Sequence, residues 1–122
     1  MKIARYRSAD GQVLWGTPEE TDVRLLVGPS IAELTPTDRT LSPADLEPLA
    51  PVDPPNIVAV GLNYREHIAE FGHDMPERPV LFLKATTSVT GPGQPIELPT
   101  IAPGAVDLEA ELAVVIGRRC KH

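Results

Sequence analysis

The sequence predicts a mostly β, α+β fold in two parts. Short apolar runs of strand length recur along the chain, residues typical of turns separate them, and one short segment alone has a helical pattern. The chain also contains 14 prolines, most of them between Pro36 and Pro103. Proline interrupts helices but is tolerated in turns and loops. We therefore expect short strands and ordered loops rather than long helices.

The first 50 residues have the signals of a small β-rich module. Asp10-Gly11 is a hairpin turn signal, and Ser42 followed by Pro43 is typical of a helix start. The strands predicted here are residues 3–7, 12–15, 22–27 and 31–34. Pro48 to Pro55 contains four prolines and predicts an extended linker. We therefore divide the chain into a module of residues 1–52, which carries no chemical motif, and a second part of residues 53–122.

The second part begins with a predicted strand and a short helix. Residues 56–60 form an apolar run. Asn63 is a candidate helix cap with Glu66 three residues later, and Gly72 is a candidate stop. A helix of about two turns is too short to be stable alone, so it would order on packing or on ligand binding. Further strands are predicted at residues 80–84, 96–98 and 109–116, with a turn at residues 90–93.

Two glutamates alternate at the start of the last predicted strand. Glu109 and Glu111 should leave one face of a strand. At about 5 Å and an effective dielectric of about 20 they would repel by roughly 3 kcal/mol. Water, a shared proton or a bound cation would weaken that repulsion. Oxygen donors suit Mg²⁺, Mn²⁺ or Ca²⁺. The alternative is a half-exposed strand whose acids are only solvated.

His67 and Glu70 stand three residues apart in the predicted helix, which places them on one face. A carboxylate beside an imidazole stabilises its charged form and orients it, as a water-activating base requires. The alternative is an incidental surface pair. Lys84 ends the apolar run of residues 80–84. Its ammonium group either binds an anionic substrate or simply marks the strand end.

Composition excludes several classes of protein. The net charge is −6, and the only basic cluster is Arg118-Arg119 with nearby Lys121, which argues against a nucleic-acid partner. No apolar run approaches the roughly 20 residues that span a bilayer, and the start lacks the apolar region of a signal peptide. A single cysteine, Cys120, excludes an internal disulfide framework. We expect a cytoplasmic protein.

The order and spacing of several motifs resemble the fumarylacetoacetate hydrolase family over roughly residues 54 to 118. The motifs are Val60-Gly61-Leu62-Asn63-Tyr64-Arg65-Glu66-His67, Glu70, Pro79 to Lys84, Gly91-Pro92-Gly93, and Asp107 to Gly117. The resemblance implies a mixed β-roll, usually dimeric, preceded by a small variable module. It also implies a divalent metal, usually Mg²⁺, held by Glu109, Glu111 and a later aspartate that these 122 residues lack. We therefore expect this chain to be the front portion of a longer protein.

The resemblance further implies a His67–Glu70 pair on a lid helix and a 2-keto or 2-enol carboxylate as substrate. Our first hypothesis is hydrolysis of a C–C bond in an acylpyruvate-type diketo acid. The His67–Glu70 pair favours hydrolysis because the attacking water needs a base. The second is an isomerase, decarboxylase or dehydratase acting on a 2-hydroxymuconate-type or sugar-derived 2-keto acid. The third, a non-catalytic β-rich module, holds only if the protein ends at residue 122.

Overall fold

The computed structural model describes residues 1–121. The chain forms two compact units: Met1–Pro51 together with the segment from Thr90 onward, and Val52–Val89. Each unit has its own sheet, and each is described by itself below. Strands predominate over helices in the described residues, so the mostly β fold class is confirmed.

The first unit contains a five-stranded antiparallel sheet. Its strand order is β4-β3-β2-β1-β5, so consecutive strands are neighbours except that β5 returns to pair with β1. The strands are β1 Ala4–Ser8, β2 Val13–Pro18, β3 Val23–Val27, β4 Thr35–Leu41 and β5 Leu46–Leu49.

The core of this unit lies around β3. Buried apolar side chains come from this strand, from the end of the 3₁₀ helix that follows it and from the start of β5: Val23, Leu25, Leu26, Leu34 and Leu46. Leu25 and Leu26 are neighbours in sequence, and the pairing of β3 with β4 shifts register between Arg24 and Leu26. Such an irregularity bends a strand locally and re-aims its side chains.

The predicted hairpin between β1 and β2 is confirmed. Gly11 has a φ of +85°, a left-handed conformation that glycine adopts without steric cost. The Asp10 carboxylate accepts hydrogen bonds from the hydroxyl of Ser8 at 2.5 Å and from Nε2 of Gln12 at 2.9 Å. The turn is therefore held by one carboxylate and one glycine.

Three predictions for this module need correction. The strand predicted at residues 31–34 is wrong, because Ile31–Glu33 forms a 3₁₀ helix. Ser42 does cap a helix, but it is the short 3₁₀ helix Pro43–Asp45, with the Ser42 hydroxyl accepting from the Ala44 N–H at 3.2 Å. The segment interpreted as a linker contains part of β5, and β4 was not predicted. Both are edge strands, where proline and polar residues are tolerated because one side makes no ladder bonds.

The second unit is a hairpin-like sheet with one α-helix and a short 3₁₀ helix, Thr86–Ser88. Strand β6, Ile57–Gly61, pairs antiparallel with β7, Val80–Lys84, and α1, Arg65–Glu70, lies between them in sequence. These elements are confirmed. The predicted cap at Asn63 is wrong by one residue, since Tyr64 is the cap residue and makes no side-chain capping bond. Gly72 ends the helix with a φ of +67°, as expected.

The segment after Thr90 is mostly irregular. The turn at Gly91 is confirmed by the bond from the Gln94 N–H to the Gly91 carbonyl at 3.2 Å. The strands predicted at residues 96–98 and 109–116 are wrong, because neither range is a strand here. A strand is stable only when a neighbour takes its backbone hydrogen bonds. Within the part of the chain that the structure describes, no strand pairs with either range.

Many apolar side chains in this segment remain exposed to solvent, including Ile96, Leu98, Ile101, Leu108, Leu112, Val114 and Ile116. Soluble domains rarely leave large apolar surface patches uncovered.

Among residues 1–121, the structure has no helix of the length and apolar character needed to cross a lipid bilayer.

Candidate active site

The junction between β6 and α1 carries a strained residue. Leu62 has a φ of +50°, and this left-handed conformation costs a residue other than glycine roughly 1–2 kcal/mol. Strained backbone persists where the surroundings hold it in place, and it clusters at functional sites. Nothing in the sequence indicated strain at a leucine. The junction leads directly into the helix that carries His67 and Glu70.

The structure brings His67 and Glu70 together, as their spacing predicted. Nδ1 of His67 lies 3.5 Å from Oε2 of Glu70. The side chains are 49% and 75% exposed, so this is a long, solvated contact of a kind that contributes about 0–1 kcal/mol. The carboxylate lies beside one ring nitrogen, and the half-exposed ring can meet a water molecule. A catalytic role for the pair stays a prediction.

A third side chain, Phe71, contacts the same imidazole. The ring centroids of Phe71 and His67 are 4.7 Å apart, with the planes at 72°. Near-perpendicular aromatic pairs at this distance contribute about 0.5–1.5 kcal/mol beyond their buried area. This contact was not among the sequence predictions. The sequence did contain a signal for it, because His67 and Phe71 are four residues apart and this spacing places both rings on one helix face.

Lys84 lies at the end of β7 and is exposed. Its Nζ lies 5.8 Å from the centroid of the Phe82 ring, within the range of a weak cation–π contact. Phe82 alternates with Lys84 along the strand, so the two share one face of the sheet. The ammonium group remains open to solvent and can meet an anion. This geometry fits both interpretations of Lys84.

Glu109 and Glu111 lie in the irregular, exposed part of the first unit. Carboxylate oxygens are the donors that a hard divalent cation prefers. Among residues 1–121, however, no three side chains of metal-binding type come together. The donor chemistry therefore fits Mg²⁺, but the described residues do not complete a site. Exposure to water also removes most of the repulsion between the two charges.

Comparison with known families matches two parts of the chain, residues 1–51 and residues 56–122. The sequence model described as "Fumarylacetoacetate (FAA) hydrolase C-terminal" matches residues 56–122. The model described as "Rv2993c-like, N-terminal" matches residues 1–51. The first match contains the His67–Glu70 helix, Lys84 and both glutamates.

Individual relatives agree with these matches. Protein Rv2993c of Mycobacterium tuberculosis is 42% identical over 127 aligned positions, covering 99% of this chain and 48% of the relative. Oxaloacetate tautomerase fahd2 of Xenopus laevis is 40% identical over 83 positions, covering 67% of this chain and 26% of the relative. The crystal structure of 5-carboxymethyl-2-hydroxymuconate delta-isomerase from Mycobacterium smegmatis has a TM-score of 0.64 at 34% identity, covering 82% of this chain and 38% of that one.

The chain thus spans about half the length of the Mycobacterium tuberculosis relative and a smaller share of the other two. A family model that covers more than half of the chain shows the family, and relatives at about 40% identity agree with it. The isomerase and tautomerase among these proteins are enzymes, which places the family among enzymes. This chain belongs to the fumarylacetoacetate hydrolase family.

Proposed function

We propose that the protein containing this chain is a metal-dependent hydrolase that cleaves a C–C bond in an acylpyruvate-type 2-keto acid. The observation that carries the proposal is the contact between Nδ1 of His67 and Oε2 of Glu70 at 3.5 Å. The pair stands on a two-turn helix that follows the strained Leu62. Hydrolysis needs a base that is open to water, and this imidazole is half exposed.

Each named residue has a defined task in this proposal. His67 takes a proton from water, and the oxygen of that water forms the new bond to the acyl carbon. The C–C bond then breaks, its electron pair passes to the enolate of pyruvate, and the methyl carbon of the product receives the proton that His67 took from water. Glu70 stabilises the imidazolium formed in the first step, and general base catalysis of this kind contributes about 10²–10⁴-fold. Lys84 binds the substrate carboxylate through its exposed ammonium group.

We assign Glu109 and Glu111 to the divalent metal, with a further acidic ligand supplied by the region that corresponds to the second half of the longer relatives. Support comes from the oxygen donors and from the family, whose members typically depend on a divalent metal. A bound Mg²⁺ would supply Lewis-acid stabilisation of the negative charge that develops on the enol oxygen of the substrate.

Domain roles follow from the same assignment. We propose that residues 1–52 are an accessory module and that residues 53–122 begin the catalytic domain. The separate family matches to residues 1–51 and 56–122 support this division.

A small-molecule 2-keto or 2-enol carboxylate is the proposed partner, and a homodimer is the proposed assembly of the full-length protein.

An isomerase is the second candidate, and one observation favours it. The Mycobacterium smegmatis structure that resembles this chain is a delta-isomerase, at 34% identity over 82% of the chain. In an isomerisation His67 would move a proton from one substrate carbon to another, with no water consumed. The same base, carboxylate and lysine serve either reaction. Only assays with both classes of substrate can therefore distinguish a hydrolase from an isomerase.

The test uses the full-length protein as its gene encodes it, purified, treated with EDTA and reloaded with MgCl₂. An acylpyruvate and a 2-hydroxymuconate-type diene acid are assayed in parallel with the wild type and His67→Asn. We expect acylpyruvate cleavage that EDTA abolishes and that His67→Asn lowers by about 100-fold or more. His73→Asn is the matched control, since His73 is exposed and lies just beyond the helix. Cleavage indifferent to EDTA, or turnover of the diene acid alone, counts against the hydrolase.

A further inference from the structure

We propose that Phe71 is the residue that positions the imidazole of His67 for catalysis. The inference rests on the proposed function, because it assumes that His67 is the base. It adds a residue that neither the sequence motifs nor the family matches singled out.

Two side chains flank the His67 ring on one helix face. Glu70, three residues on, reaches Nδ1 at 3.5 Å, but its side chain is 75% exposed. A solvated carboxylate at the outer limit of hydrogen-bond distance restricts the imidazole weakly. Phe71, four residues on, places its ring centroid 4.7 Å from that of His67 with the planes at 72°. The aromatic contact is therefore the firmer restraint on ring orientation.

Hydrogen bonds of the main chain fix the backbone position from which the Phe71 ring projects. The Phe71 N–H donates to the His67 carbonyl at 3.2 Å, so the two residues are joined by main chain as well as by rings. The next two residues close the helix, with Gly72 N–H bonding the Ala69 carbonyl at 3.1 Å and His73 N–H bonding the Ile68 carbonyl at 3.1 Å. Three successive N–H groups, from Phe71 to His73, thus bond carbonyls of the helix at the residue that carries the ring.

Burial does not account for an aromatic residue at this position. Ile68 is the buried residue of the helix, at 3% exposure, whereas Phe71 is 63% exposed. A large apolar side chain left in solvent contributes little to a core. Among the described residues, Phe71 contacts the imidazole ring of His67. We therefore expect removal of the Phe71 ring to disturb the orientation of His67 more than the stability of the protein.

The experiment compares three variants of the full-length protein. Phe71→Leu removes the ring and keeps apolar bulk, Phe71→Tyr keeps the ring, and Gly72→Ala weakens the helix end without touching either ring. An alanine at a φ of +67° is strained, yet its Cβ would meet nothing within 4 Å. We expect Phe71→Leu to lower kcat about tenfold with KM changed less than about twofold, because misorientation of a base affects the transition state. Phe71→Tyr should restore kcat.

A second readout needs no substrate. The carbon-bound ring protons of His67, assigned by their loss in His67→Asn, should carry a ring-current shift that disappears in Phe71→Leu and persists in Phe71→Tyr. Absence of that shift in the wild type overturns the positioning role, whatever the enzyme's reaction.

The outcomes also separate the two proposals. If His67→Asn retains full activity, the proposed function fails even when the ring-current shift is present. If His67 is essential but Phe71→Leu keeps its kcat, positioning by Phe71 is wrong while the base remains. If Gly72→Ala lowers kcat as much as Phe71→Leu does, helix stability explains the loss and the positioning role is again overturned.

Discussion

Nδ1 of His67 and Oε2 of Glu70 lie 3.5 Å apart on one face of α1, with both groups open to solvent. A contact of this length adds little to stability. In the proposed reaction its role is to stabilise, by charge, the imidazolium that a general base becomes. The pair is therefore expected to matter to turnover rather than to folding.

Substitution of Glu70 tests that expectation. Glu70→Gln keeps the shape and removes the charge, so we expect kcat to fall about tenfold while the melting temperature stays within a degree or so. Steady-state kinetics and thermal unfolding of the full-length protein provide the two measurements. Glu66→Gln, one turn earlier on the same helix, is the control and should keep wild-type kcat. Equal losses in both variants would show that charge on the helix, not contact with His67, is responsible.

Removal of either glutamate should weaken metal binding. Glu109→Gln and Glu111→Gln each take one charge from the proposed ligands, and affinity for hard cations follows ligand charge. We expect the affinity for Mg²⁺, measured by titration calorimetry on the full-length protein, to fall at least about tenfold in each case. Glu97→Gln, an exposed acid in the same unit, serves as control. Unchanged affinity in both ligand variants contradicts the assignment.

Gly16 is a position in the first unit where an added side chain would meet a core residue. A Cβ there would overlap Cγ1 of Val23, a buried core residue, and would lie 3.2 Å from the Arg24 carbonyl. We expect Gly16→Ala to lower the free energy of unfolding by about 1–3 kcal/mol, the usual cost of overpacking. Denaturant titration measures the loss. Gly104→Ala is the control, since its Cβ would meet nothing within 4 Å. Equal stability of the two variants would show that this contact relaxes without cost.

Asp10 should make stability depend on pH in the acid range. The Ser8 hydroxyl and, less strongly, the Gln12 N–H hold the pKa of Asp10 below its ordinary value of 3.8. A lowered folded-state pKa means that the ionised form stabilises the fold at pH above 3.8, and that this contribution is lost as the pH falls below 3.8 toward the folded pKa. In Asp10→Asn that loss should vanish from the curve of unfolding free energy against pH.

Ser8→Ala provides the second arm of this test. It removes the largest cause of the lowered pKa while keeping the carboxylate, so the acid-dependent loss should shrink without disappearing. If both variants follow the wild-type curve between pH 5 and pH 2, the hydrogen bonds at this turn have no part in acid stability.

The elements that sequence could predict are those specified by neighbouring residues. Two of the apolar runs form the strands β6 and β7, and Asp10-Gly11 forms the predicted hairpin turn. His67 and Glu70 make the contact that their spacing predicted for a helix. The edge strands β4 and β5 escaped prediction because they are rich in polar residues and proline. What makes them strands is a partner elsewhere in the chain, such as β1 for β5.

Some features of the candidate site were likewise specified by neighbouring residues, and others depended on the tertiary structure. The sequence by itself determined which residues share a helix face, because the rise and twist of a helix depend only on its own backbone. Tertiary structure decided the left-handed Leu62, the return of β5 to β1 and the irregular course of the segment with Glu109 and Glu111. A strand's hydrogen bonds come from another segment, so the alternating glutamates specify a face only where a neighbouring strand holds them in register.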